Sequence, residues 1–191
     1  GTLSAELLDR AGGNNVFADI SGFTAMSEKL DPEEVRTLIN ACFERLGAVI
    51  ARYDGHIDKF IGDAIMALFG APAAHENDPE RALRAALDMV ATLNAFNADY
   101  ADQLPQPLGL HFGINTGLVI AGGIGTRERQ HYSVMGDPVN LALRLEGLSG
   151  AGEILVGEDT YRLTAPLFEF EALEPAKAGD LLISDSVGGA V

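Results

Sequence analysis

The chain has 191 residues, 47% of them hydrophobic and 21% charged, which is the composition of one ordinary globular domain rather than of a disordered chain. Its formal net charge of −15 opposes polyphosphate backbones and anionic lipid surfaces, so general nucleic-acid binding is not expected. The single cysteine, Cys42, excludes a disulfide framework and a cysteine-based zinc site. No apolar run approaches the length of a membrane span and no signal-peptide pattern opens the chain, so a cytoplasmic domain is expected. Gly1 in place of methionine reads as a piece of something longer.

In chain order, a short strand is expected over Asn15 to Ile20, ending at Ser21-Gly22. Asp31-Pro32-Glu33-Glu34 then combines an N-cap, a proline at the first helical position and acids at the positive end of the helix dipole. Val35, Leu38, Ile39, Cys42, Leu46, Val49 and Ile50 continue at helical spacing until Asp54-Gly55. Residues 56–61 and 64–69 read as two apolar strands joined by Gly62-Asp63, the two-residue hairpin signal. A second helix opens at Asp78-Pro79-Glu80 and runs to Tyr100. A second hairpin is expected from Leu108–Ile114 and Leu118–Ala121, turning at Asn115-Thr116-Gly117. Gln130 to Met135, Glu153 to Val156 and Phe168 to Ala172 are further strands, and Asp137-Pro138 opens a helix through Leu148. The order β-α-β-β-α-β is that of an α+β, ferredoxin-like sandwich with helices on one face. One domain is expected over residues 1–191, with a core from 16 to 175 and a Gly-, Ser- and Ala-rich tail from 177 to 191.

No G-x-x-x-x-G-K-[ST] phosphate loop is present, and Gly122-Gly123-Ile124-Gly125 does not complete a dinucleotide fingerprint. Two aspartates stand out instead. Asp19 lies near the end of the first strand, where aspartate is disfavoured, and Asp63 sits at the tip of the first hairpin. In a β-α-β-β arrangement these elements are neighbours, so the two carboxylates could meet at one edge. Carboxylates brought together repel unless a cation lies between them; equally, Asp63 could serve only the turn. Lys59 is one of three lysines in the chain and stands inside an apolar strand, either as an edge lysine discouraging strand pairing or as a ligand contact. Asn140 and Arg144, four residues apart, share one face of a largely apolar helix, and Arg144 there calls for an anion, carboxylate or phosphate.

Four stretches together resemble the class III nucleotidyl cyclases, the family of adenylyl and guanylyl cyclases. They are Phe17-Ala18-Asp19-Ile20-Ser21-Gly22-Phe23-Thr24, Lys59-Phe60-Ile61-Gly62-Asp63-Ala64, Gly113-Ile114-Asn115-Thr116-Gly117, and Tyr132 to Glu146, in family order over most of the chain. The resemblance implies that Asp19 and Asp63, with the backbone carbonyl of Ile20, bind two Mg²⁺ or Mn²⁺ ions. It implies that Asn140 orients the ribose and that Arg144 stabilises the transition state at the α-phosphate. Lys59 and Ser133 stand at the two purine-reading positions, and this pair is similar to that of adenylyl cyclases of the Thr/Ser subclass, which includes soluble adenylyl cyclase. A lysine only donates hydrogen bonds, which suits the acceptor N1 of adenine. The implied reaction is conversion of ATP to 3′,5′-cyclic AMP and pyrophosphate at the interface of a head-to-tail homodimer, with bicarbonate as an implied regulator. Alternatives are a catalytically weak nucleotide-binding or regulatory cyclase-homology domain and a guanylyl or mixed-purine cyclase. His111 stands where many members carry arginine, and the role of Lys177 is open.

Overall fold

The computed structural model describes residues 9–126, 129–135, 137–172 and 186–187, with side chains described within 18–118 and 137–172. The expected tail from residue 177 thus lies outside the described residues except for 186–187, as does Lys177. The elements are β1 (Asp9–Ser21), α1 (Phe23–Lys29), α2 (Pro32–Arg52), β2 (His56–Ile61), β3 (Ala64–Phe69), α3 (Asp78–Asp99), β4 (Gly109–Thr126), β5 (Arg129–Met135), α4 (Asp137–Glu146), β6 (Ile154–Val156), α5 (Glu158–Thr164), β7 (Phe170–Glu171) and β8 (Ser186–Val187). The strands form one sheet in the order β2-β3-β1-β4-β6-β8-β7, with β5 added to β4. β1 lies between β3 and β4 and antiparallel to both, which is the ferredoxin-like core.

The two long helices begin and end where their punctuation dictates. The Asp31 N–H donates to the Glu34 carboxylate at 3.1 Å, with Pro32 at the start of α2. In α3 the cap is Asn77, one residue earlier than expected. Asp78 is drawn inward instead, and its carboxylate accepts the His75 N–H at 2.6 Å. The apolar stripes of α2 and α3 cover one sheet face, packing on Ala18 and Ile20 of β1, Ile65, Ala67 and Phe69 of β3, and Leu110, Phe112 and Ile114 of β4. The hairpin between β2 and β3 forms as expected, with Gly62 at φ 64°, a conformation glycine adopts without a Cβ penalty.

The expected hairpin at Asn115-Thr116-Gly117 does not exist. β4 runs unbroken through it, with Asn115 opposite Asn15, Thr116 opposite Asn14 and Gly117 opposite Gly13. Residues that resemble a turn locally serve packing here. A Cβ on Gly117 would lie 2.4 Å from Pro138 Cγ, and Asn115 Nδ2 donates to the Pro138 carbonyl at 3.1 Å. The same pairing extends β1 well before Asn15, the strand start expected from its apolar residues. β7 is shorter than expected, and the short helices α1 and α5 carry too little periodicity to be read in advance.

α4 lies on the sheet face opposite α2 and α3, so the expected single helical layer holds only for the two long helices. Side chains alternate along β4, and the residues turned away from α2 and α3 are His111, Gly113 and Asn115. A Cβ on Gly113 would sit 2.0 Å from the Ala142 carbonyl oxygen and 2.3 Å from the Glu146 nitrogen. Strand and helix backbones therefore touch directly. Leu141, Leu145 and Leu155 form a small apolar cluster that holds α4 there.

Candidate active site

The hairpin tip sits against the end of β1. Asp19 is the register partner of Ala64, and the Ile20 N–H donates to the Asp63 carbonyl at 3.3 Å. The Asp19 carboxyl lies close enough to Asp63 to feel its charge, as the sequence suggested it could. Burial pushes the Asp19 carboxyl above its ordinary range, and the negative charge of Asp63 pushes it further; nearby His111 and the Ile20 backbone act the other way. Asp19, Ile20 and Asp63 are thus brought together. Two hard oxygen donors that repel in the absence of a cation are chemically suited to Mg²⁺ or Mn²⁺. Among the described residues no group of three or more His, Cys, Asp or Glu side chains could enclose a metal alone. Mg²⁺ is commonly held by one or two carboxylates and completes its shell with water and substrate phosphates.

Asn140 and Arg144 are also brought together, at a second place. They line a cavity of about 830 Å³ between α4, the start of α5 and residues 115–118 of β4. Both are exposed rather than buried, so no buried counter-ion is required, contrary to what the apolar helix face suggested. Arg144 has no ion-pair partner among the described residues, although Asp137, Glu158 and Asp159 also border the cavity. Its guanidinium is available to an incoming anion.

Lys59 lies on β2, the edge strand, beside a register shift between Ile57 and Lys59. Its ammonium pairs with the Asp58 carboxylate at 3.0 Å, and about half of its side chain is exposed. An edge lysine and a ligand contact both remain compatible with this position. Ser133 is opposite Gly122 in the β4–β5 ladder, and its side chain lies outside the described residues.

Sequence reasoning passed over Glu146. It is half-buried, and its carboxyl is raised first by burial and then by the charges of Asp19 and Asp63, with His111 opposing. Nothing in its spacing distinguishes it from an ordinary helix-end glutamate; only the packing of α4 brings it to the aspartates.

A carboxylate pair thus lies at the meeting of β1 and the hairpin, and an Arg144-bearing cavity lies farther along the same face of a ferredoxin-like sheet. The adenylate and guanylate cyclase catalytic domain matches residues 14–178, and the chain belongs to that family. Adenylate cyclase 1 of Rhizobium meliloti is 42% identical over 166 residues, covering 85% of this chain but 25% of the relative. The chain thus spans about a quarter of that relative's length. Among solved structures, the adenylyl cyclase CyaB from P. aeruginosa matches with a TM-score of 0.89 and 31% identity, covering 96% of this chain and 97% of that one. The guanylyl cyclase Cya2 matches with a TM-score of 0.88 and 34% identity, covering 97% and 95%. No helix among the described residues is long and apolar enough to cross a membrane.

Proposed function

We propose that the chain is an adenylyl cyclase domain that converts ATP to 3′,5′-cyclic AMP and pyrophosphate at a site shared between two copies. The observation that carries this reading is the separation of two half-sites on one sheet face. Asp19 faces His111 across the β1–β4 ladder, whereas the Asn140–Arg144 cavity is walled by residues 115–118 farther along the same strand. From His111 to Thr116 the strand advances roughly 17 Å, too far for one nucleotide phosphate to touch both sets directly. A head-to-tail pair would join the aspartates of each copy to the Asn140 and Arg144 of the other, giving two equivalent sites. Leu118 on the cavity wall and Leu143 on α4 are exposed apolar residues that such a pairing would cover.

In this reading Asp19, the Ile20 carbonyl and Asp63 hold two divalent cations, Mg²⁺ or Mn²⁺. Such ions would acidify the ribose 3′-hydroxyl and neutralise phosphate charge. The protein then contributes placement and electrostatics. Asn140 offers an amide to the ribose, and Arg144 presents fixed positive charge where negative charge builds at the α-phosphorus. Lys59 and Ser133 are the purine-reading positions in this reading, the lysine donating to adenine N1. The likeness to both an adenylyl and a guanylyl cyclase supports reading purine choice in side chains rather than in the fold.

The test mixes Asp19→Ala chains with Arg144→Ala chains. Each alone is expected to be inactive, and the mixture is expected to recover cyclic AMP formation through the one intact site of the mixed dimer. Mixed dimers that form yet stay inactive would refute the shared site. Turnover of GTP at a rate equal to that of ATP would favour the mixed-purine alternative, and nucleotide binding without turnover the regulatory one. Bicarbonate stimulation, implied through Ser133, belongs to the same reading; unchanged activity in a bicarbonate titration at fixed pH removes it.

A further inference from the structure

The helix that carries Asn140 and Arg144 also reaches the aspartates at the far half-site of its own chain. At 100° per residue, Glu146 lies about 200° around the axis from Arg144, on the side of α4 that faces the sheet. Ala142 and Glu146 share that side, and both press on Gly113, the only kind of residue that lets the helix backbone so close. Gly113 is two residues beyond His111 and therefore on the same sheet face, and His111 is the register partner of Asp19. A second contact holds the turn after α4 to the strand: His111 Nδ1 lies 2.6 Å from the Ser149 carbonyl oxygen. The Glu146 backbone is thus fixed over the Asp19–His111 pair from two independent directions.

We infer that Glu146 is a positioning residue for the divalent cations, a further carboxylate that α4 holds beside Asp19 and Asp63 to deepen the negative field at the cation site without enclosing the ion. The inference rests on the reading that Asp19 and Asp63 take those cations. Support comes from this placement: Asp19, His111 and Gly113 share the sheet face on which the Glu146 backbone is seated, and the charges of Asp19 and Asp63 are felt at the Glu146 carboxyl. Residues that stand behind metal ligands alter affinity through charge and orientation, and their loss typically weakens binding by tens of fold. The arrangement also explains why α4 is seated backbone to backbone on β4. A looser helix would let this carboxylate drift.

The experiment measures Mn²⁺ binding to the nucleotide-free protein by electron paramagnetic resonance, for the unaltered chain and for Asp19→Asn, Glu146→Gln and Glu146→Asp. Binding that Asp19→Asn abolishes is expected to weaken roughly ten-fold in Glu146→Gln and to be largely restored in Glu146→Asp. In activity assays Glu146→Gln should need correspondingly more Mn²⁺ yet approach the unaltered kcat at saturation, whereas a merely structural defect would lower kcat at every concentration. If Asp19→Asn abolishes binding while Glu146→Gln binds as the unaltered chain does, the inference fails and the metal reading stands. If the unaltered chain binds no Mn²⁺, or Asp19→Asn binds it equally well, the metal reading fails and the inference falls with it.

Discussion

The His111 ring and the Ser149 carbonyl meet at 2.6 Å, joining the strand beside Asp19 to the turn that follows α4. A carbonyl oxygen only accepts, so Nδ1 carries the proton and Nε2 is left as the ring's other polar atom. One imidazole therefore ties the aspartate end of the sheet to the helix that bears Arg144. In a head-to-tail dimer these two ends would serve different sites, so α4 would be a rigid part common to both.

Asp19→Asn is expected to abolish turnover and, without divalent cations, to raise the melting temperature at neutral pH. Asp19 has its pKa raised in the fold, so the folded state favours the protonated acid. Any stabilising contribution from that proton is present below the ordinary value of 3.8 and is lost as pH rises through the higher folded value. At neutral pH the ionised pair is a burden that the amide removes. Thermal melts from neutral pH down toward 3.8 should show the benefit shrinking, and added Mn²⁺ should stabilise only the unaltered chain.

Arg144→Ala should lower kcat by a factor on the order of 10²–10³ while leaving folding stability within about 0.5 kcal/mol. The guanidinium is exposed and makes no ion pair among the described residues, so its removal breaks no described ion pair. Steady-state kinetics beside urea unfolding separates the two effects.

Gly113→Ala should destabilise the fold by roughly 1–3 kcal/mol and depress activity as well. The added methyl would meet the Ala142 carbonyl oxygen at 2.0 Å and the Glu146 nitrogen at 2.3 Å, backbone atoms that can yield only if α4 lifts from β4. Gly62→Ala is a useful comparison. Its Cβ would meet nothing within 4 Å, so any loss there reports the strain of φ 64° alone. Denaturant midpoints for both variants check the difference.

Lys59→Glu should shift purine preference toward GTP, lowering the ATP-to-GTP ratio of kcat/KM by about ten-fold or more. A carboxylate accepts hydrogen bonds and cannot serve adenine N1, whereas guanine offers N1–H and an exocyclic amine. The exposure of Lys59 implies little change in stability, although its contact with Asp58 would become a repulsion. Competition assays with both nucleotides measure the ratio.

Much of this was legible from local chemistry. The caps and apolar stripes of α2 and α3 and the Gly62-Asp63 turn are short-range signals, and each element they mark formed within a residue or two of expectation. The meeting of Asp19 with Asp63 followed as well, because a hairpin paired to the first strand leaves the two few places to go. The motifs likewise carried the family.

Other features depend on partners far away in the chain. Asn115-Thr116-Gly117 has the composition of a turn, yet pairing with residues 13–15 and the pressure of Pro138 hold it straight. Arg144 lies on an apolar helix face in the sequence, yet it ends in an open cavity because α4 spends its opposite side on β4. Glu146 becomes more than a helix-end acid only when that packing sets it near carboxylates from two other elements. Periodicity reports which face of a segment is apolar, and charge reports what could bind; which surfaces meet is decided by packing, which no local window of residues contains.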